Sequence, residues 1–375
     1  MFLNKKTRIL ECIRQGQIGG GESHLLSLME NLNKDIFEPV VLSFTNGPMI
    51  KRLQIMGIRT YIIHTERPFD ISKWTKVKKL LQDEKIDIVH AHGTRANSNV
   101  FWAAKSLRLP LIYTIHGWSF HNNQNPLIKK IRILSEKFLT RKATINISVS
   151  KSNQQTGNKY IPGFNSVVIN NGIDQGKFNP NRSFRDIRTE LGIKKNSILL
   201  LFIARFTTHK QPLVLIRAFA VALKELPHLK LLMVGEGDEK VTALKITKEL
   251  GIQDQVVFQS FREDVPDILS AADIFILPSL WEGLPIGLLE AMSMGKAIIA
   301  TNVDGTSEIV DHLFNGLLLD LNNLNTELPK AILLLAHERD LREKFKVNAM
   351  EIVKNRFNAT VMTKQLENIY SDLIK

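Results

Sequence analysis

Short apolar runs rich in β-branched residues alternate with longer helical patterns from the start of this chain, and that alternation restricts it to parallel-sheet α/β architectures. The runs are Arg8 to Cys12, Val40 to Phe44, Ile86 to Ala91, Leu111 to Ile115 and Thr144 to Ser148. The rhythm breaks at 170–185, NNGIDQGKFNPNRSFR, whose Asn, Gly and charged residues read as a linker. It then restarts with Ile198 to Ile203, Leu229 to Val234, Val256 to Phe258, Ile274 to Leu277 and Ala297 to Thr301. A chain of 375 residues is long enough for two cores. The expected fold is therefore two doubly wound Rossmann-like α/β domains, 1–178 and 179–357, facing a central cleft. Ligands of such sheets bind beyond the carboxyl ends of the strands, so functional residues are expected just after strands. The last stretch, Ala359 to Ile374, places Val361, Met362, Leu366, Ile369, Tyr370 and Leu373 as a one-faced helix.

Composition narrows the class. Cys12 is the only cysteine, which excludes an internal disulfide and a Cys-rich metal site and suits a reducing compartment. Met1 to Ile13 lacks the apolar block of a signal peptide, and the longest apolar run, Ile198 to Ala204, is far shorter than the ~20 residues that span a bilayer. A soluble, cytoplasmic protein is expected. The net charge of +13 is lopsided: residues 1–180 hold 26 Lys or Arg against 12 Asp or Glu, whereas 181–375 hold 24 against 25. One domain thus faces an anionic partner, whether nucleic acid, a phosphorylated acceptor or an anionic membrane. No nucleic-acid recognition motif accompanies the basic residues, so nucleic acid is not expected. Leu127 to Lys142 carries Leu127, Ile131, Leu134 and Phe138 on one stripe, with Lys129, Lys130, Arg132, Lys137, Arg141 and Lys142 elsewhere. Such a helix either packs its stripe into a core and solvates the rest, or lies peripherally on the inner face of the cell membrane.

Several residues after strands carry polar chemistry. Gly19, Gly20 and Gly21 precede a helical pattern, where backbone N–H groups can cradle a phosphate; the same run also makes an ordinary tight turn. Arg205 and Lys210, in IARFTTHKQ, are placed to clamp a diphosphate, Arg as a planar fork and Lys as a point charge, unless they are simply solvated loop charges. Glu282 and Glu290 flank the start of an otherwise apolar helix in LPSLWEGLPIGLLEAMSMGK. Their spacing alone means little, because about four such acid pairs arise by chance at this composition. The apolar setting of Glu290, among Ile286, Leu288, Leu289, Ala291 and Met292, matters more, since a buried acid needs a partner. His116 follows a strand and precedes Gly117. His90 and His92, in VHAHG, lack a Cys- or Asp-rich neighbourhood, and no Asp-x-Asp is present, so no metal is expected.

Taken together, GGGESHLL (19–26), DIVHAHG (87–93), TIHG (114–117), NGID (171–174), ARFTTHK (204–210), VGEG (234–237) and ADIFILPSLWEGLPIGLLEAMSMGKAIIAT (272–301) resemble the retaining glycosyltransferases of family 4, which have the GT-B fold. The resemblance covers nearly the whole chain. It implies that 358–375 crosses back to the first domain, that the first domain binds acceptor, and that the second holds a nucleoside-diphosphate sugar, UDP by family frequency. Arg205 and Lys210 would bind the diphosphate, Glu290 the ribose and Glu282 the transferred sugar. Backbone amides at Gly19 to Gly21 and Leu284 would complete the phosphate cradle, with Gly235, Gly283 and Pro285 also binding the donor, and His116 would bond the sugar. No cofactor is implied. The expected reaction moves a hexosyl or N-acetylhexosaminyl unit to a glycan or polyprenyl-diphosphate-linked acceptor in surface polysaccharide biosynthesis. A sugar-nucleotide epimerase and a catalytically silent binding partner are the competing readings.

Overall fold

The computed structural model describes residues 5–121 and 124–374; residues 1–4 of the Met1 to Ile13 segment lie outside it. The chain forms two compact units, 5–172 with 359–374, and Ile173–Asn358. The first holds a seven-stranded sheet, β1 (Thr7–Ile13), β2 (Phe37–Ser43), β3 (Arg59–Ile62), β4 (Ile88–His92), β5 (Leu111–Ile115), β6 (Ile145–Ser148) and β7 (Val167–Val168). Its order is β3-β2-β1-β4-β5-β6-β7, with every pairing parallel. The second holds six parallel strands, β8 (Ile198–Ile203), β9 (Leu229–Val234), β10 (Val256–Gln259), β11 (Ile274–Leu277), β12 (Ala297–Thr301) and β13 (Leu317–Leu319), ordered β10-β9-β8-β11-β12-β13.

The central strands are apolar on both faces because helices cover both. In β1, Ile9 and Ile13 belong to one core and Leu10 and Cys12 to the other, as the two-residue period of a strand requires. Three short strands, among them the all-leucine β13, are additional to the expected runs. β3 is a half-exposed edge, β7 has two residues and β13 three. Strands of two to four residues are too short to show a periodic pattern of their own.

Two expectations change. The segment 170–185 is not a loose linker: the crossing falls between Gly172 and Ile173 rather than at 178/179. Ile173 N–H donates to Phe357 O (3.0 Å), Ser293 Oγ–H donates to Phe178 O (2.7 Å), and Ile173 and Phe178 are both buried in the second unit. The Asn and Gly content suggested exposure, but two apolar residues anchor the segment. The helix Pro126–Lys142, begun by Asn125 capping Leu127 N–H at 2.9 Å and by Pro126, is likewise not packed through its apolar stripe. Leu127, Ile131, Leu134 and Phe138 are 67%, 58%, 56% and 41% exposed. The buried side is Glu136, Leu139 and Thr140, with the Glu136 carboxylate accepting from Tyr113 Oη–H (2.9 Å) and Thr94 Oγ1–H (2.7 Å).

The helix Ala359–Leu373 belongs to the first unit, where Met362, Leu366 and Tyr370, four residues apart, enter the core beside Ile9, Ile13 and Ile88. No helix among the described residues is long and apolar enough to cross a membrane.

Candidate active site

Each sheet reverses its winding once, between β1 and β4 in the first unit and between β8 and β11 in the second. Loops leaving adjacent strands at such a point diverge to opposite faces and open a crevice at the carboxyl ends. The candidate residues collect there.

In the second unit, the loop after β8 carries Arg205, which is exposed, and Lys210, in a short 3₁₀ turn Thr208–Lys210. The loop after β11 carries Trp281, Glu282 and Gly283 into the helix Ile286–Ser293, which Pro285 caps. The two loops are tied together: Leu280 N–H donates to His209 O (2.8 Å), and the His209 and Trp281 rings stack at 5.1 Å. The tie brings Lys210 Nζ onto Glu282 Oε1 as an ion pair, with the side chains only 17% and 9% exposed. Leu284 and Pro285 are buried, and Glu290 sits half-buried on the next turns of an otherwise apolar helix. Gly235, after β9, is needed by packing: its φ is +142° and a Cβ there would lie 2.1 Å from Ala204 O, beside Arg205.

Asp304 is a residue that sequence reasoning missed. It follows β12, its Oδ2 accepts from Glu282 N–H (3.2 Å), and its φ of 33° is unusual for a residue with a side chain. Burial pushes its carboxyl up from the ordinary value. The only sequence signal was an acid, in NVDG, three residues beyond a strand.

In the first unit, Gly19 is the extended N-cap of the helix Gly20–Asn31. The ring of His116, leaving β5, lies against Gly21, so that a Cβ there would stand 3.5 Å from it. His116 is one of several converging rings. Its Nε2 is 3.0 Å from His92 Nδ1, the two rings stack at 5.3 Å, and the His24 ring meets it edge-on at 4.8 Å. His92 Nε2 is 2.8 Å from Glu11 Oε2, and His24 Nδ1 is 3.0 Å from Asn171 Oδ1, while His24 Nε2 has no partner. Two groups, His24/His92/His116 and Glu11/His90/His92, bring their ligand atoms within 4.8 Å of one another and could each hold a metal ion. The metal-free expectation weighed only the His90 and His92 pair, not Glu11, the one acid inside an apolar strand, RILECI.

Electrostatics explains how this cluster stays together. Burial followed by the neighbouring imidazoles lowers His24 to about 3, burial and then His90 lower His92 to about 4, and burial with His24 takes His116 well below the usual histidine range. Burial alone would raise the Glu11 carboxyl, yet the electrostatic interaction and hydrogen bond with the His90 ring and the hydrogen bond from His92 hold it well below the carboxylate range. A histidine depressed in the folded state binds its proton first in the unfolded chain, so its contribution is complete above about 6.5 and lost as pH falls toward 4 and 3. Below about pH 6.5 each such group should cost on the order of 1.4 kcal/mol per pH unit. Urea unfolding between pH 7 and 5 should show this slope, flattened by about one proton's worth in His24→Gln; an unchanged slope in that variant would contradict the depressed His24.

Two doubly wound units, each with polar residues gathered at its switch point, define a nucleotide-handling enzyme of the GT-B type. Comparisons agree. Residues 18–177 match the family described as Glycosyltransferase Family 4, and residues 183–352 the family described as Glycosyl transferases group 1. The UDP-Gal:alpha-D-GlcNAc-diphosphoundecaprenol alpha-1,3-galactosyltransferase of Escherichia coli is 29% identical over 95% of both chains. The N-acetyl-alpha-D-glucosaminyl L-malate synthase of Bacillus anthracis is 27% identical over 85% of this chain and 83% of its own. The fold is that of Anabaena HepE, solved in complex with UDP and glucose, with a TM-score of 0.85 at 23% identity over 98% of this chain and 100% of that one. The chain belongs to glycosyltransferase family 4, and it is a glycosyltransferase.

Proposed function

We propose that this enzyme transfers a hexosyl or N-acetylhexosaminyl unit, with retention, from a UDP-sugar to a glycan or polyprenyl-diphosphate-linked acceptor in surface polysaccharide biosynthesis. The observation that carries this reading is the Lys210–Glu282 pair held at the β8/β11 switch point, with Arg205 in the same loop after β8 as Lys210. Charge develops on the departing diphosphate as the anomeric bond breaks, so fixed cations aimed at it do most of the catalytic work. Arg205 supplies the fork and Lys210 the point charge. Glu282, already turned to Lys210, accepts from hydroxyls of the sugar, and Glu290 from those of the ribose. Amides at Gly19, Gly20, Gly21, Gly283 and Leu284 face the phosphates, and His116 holds the sugar. The leaving phosphate takes the acceptor proton on the face it departs from, which accounts for retention without a covalent intermediate on Glu282.

A lipid-diphosphate acceptor suits the basic first unit, and the Escherichia coli relative carries such a substrate in its name. The test is UDP release from a panel of UDP-sugars, with and without a GlcNAc-diphospholipid and in the presence of EDTA. Release that depends on acceptor, survives the chelator and gives an α-linked product from an α-donor supports the reading. An epimerised sugar nucleotide, or release indifferent to acceptor, refutes it.

The exposed stripe of the helix Pro126–Lys142, with its flanking lysines and arginines, favours peripheral binding to anionic membrane over a core role. Vesicles containing anionic lipid should sediment the protein at low salt, and Ile131→Ser with Leu134→Ser should leave it in the supernatant. Equal sedimentation of the two forms would remove this helix from the interaction.

A further inference from the structure

Glu11 reaches His116 through a buried chain of hydrogen bonds that also takes in the C-terminal helix. Parallel pairing sets Glu11 of β1 opposite His90 of β4, and the two-residue period puts His92 on the same face. Tyr370, wholly buried, covers that face from the helix Ala359–Leu373. Its hydroxyl donates to Glu11 Oε1 (2.9 Å) and is therefore free to accept only, which makes His90 Nδ1, at 2.7 Å, a donor. An ionised Glu11 accepts only, so His92 Nε2, at 2.8 Å from Oε2, must carry its proton. A neutral His92 then has a bare Nδ1, and the partner 3.0 Å away, His116 Nε2, must donate to it. One proton is left for each ring, and the far nitrogen of His116, Nδ1, is bare.

We propose that Glu11, its carboxylate braced by Tyr370, is a positioning residue that locks His116 through His92 in the Nε2–H tautomer, so that it offers Nδ1 to the donor sugar as a hydrogen-bond acceptor. The inference rests on His116 touching that sugar, as proposed above. Its physical logic is that of a histidine oriented by a buried carboxylate, here with a second imidazole inserted between them. A fixed acceptor selects a sugar hydroxyl that points its proton at it, and the wrong tautomer would meet that hydroxyl with an N–H instead.

Imidazole nitrogen shifts of the full-length chain labelled with ¹⁵N-histidine read the tautomers directly at pH 7. His92 and His116 should both report a protonated Nε2 and a bare Nδ1. Glu11→Gln should redistribute both patterns and lower kcat about tenfold, the worth of one hydrogen bond to the reacting sugar, with donor KM within about twofold. Tyr370→Phe, which leaves the Glu11–His92 bond in place, should keep the tautomers and lose less. A native His116 protonated on Nδ1 would overturn the inference, as would Glu11→Gln with unchanged shifts or unchanged kcat. Should Glu11→Gln not fold, the native spectrum still decides. Wild-type turnover in His116→Ala would instead refute the sugar contact, while an inactive His116→Ala with the opposite native tautomer would refute the chain alone.

Discussion

Lys210→Ala should lose roughly 10²- to 10³-fold in turnover, the size seen when one preorganised donor to a developing anion is removed. The same substitution should also destabilise the second unit, because Lys210 is the ion-pair partner of a carboxylate that is only 9% exposed. Removing one member of a nearly buried pair leaves the other uncompensated and costs on the order of 3 kcal/mol. The two effects separate in a second variant. Adding Glu282→Gln to Lys210→Ala removes the stranded charge and should restore most of the thermal midpoint, while transfer stays lost. Arg205→Ala gives the converse control: Arg205 is exposed, so transfer should fall while the midpoint holds. Near-normal turnover in Lys210→Ala, measured as UDP release at saturating donor and acceptor, would end the proposed role of this loop.

The second large effect is expected at a residue with no polar side chain. Gly305→Ala places a Cβ 1.9 Å from Gly283 O, 2.8 Å from Gly283 C and 3.1 Å from Leu284 Cα. All three are backbone atoms, which cannot rotate away, so the loop carrying Glu282, Gly283 and Leu284 must shift. Overpacking of this kind costs about 1 to 3 kcal/mol. A displacement near 1 Å at a binding loop commonly costs about 10²-fold. The variant should therefore fold less stably and bind UDP far more weakly, by calorimetry and without any activity assay. Undiminished UDP affinity would show that the 282–284 loop does not hold the nucleotide.

Much of this site could be read along the chain. Arg205, Lys210 and Glu282 stand immediately after strongly apolar strands, and a parallel sheet turns that position into a site address. Glu11 could have been read too, since an acid in the middle of RILECI must be buried and must find partners. What could not be read was which partners. Asp304 was hidden for a different reason: its left-handed φ and its bond to Glu282 N–H depend on a loop closing back across 22 residues. The stripe on Pro126–Lys142 was legible as a pattern but not as a direction, because an apolar stripe has the same period whether it meets a core or the outside.

Sequence alone therefore determined the two βα units, their parallel sheets, the loops that bear polar residues and the family to which those loops belong. Periodicity gives each strand's faces but not its neighbours, because strand pairing is a contact between segments far apart in the chain. Only the tertiary structure set β1 against β4 and β8 against β11, which joined Lys210 to Glu282 and brought Tyr370 to Glu11 from 359 residues away.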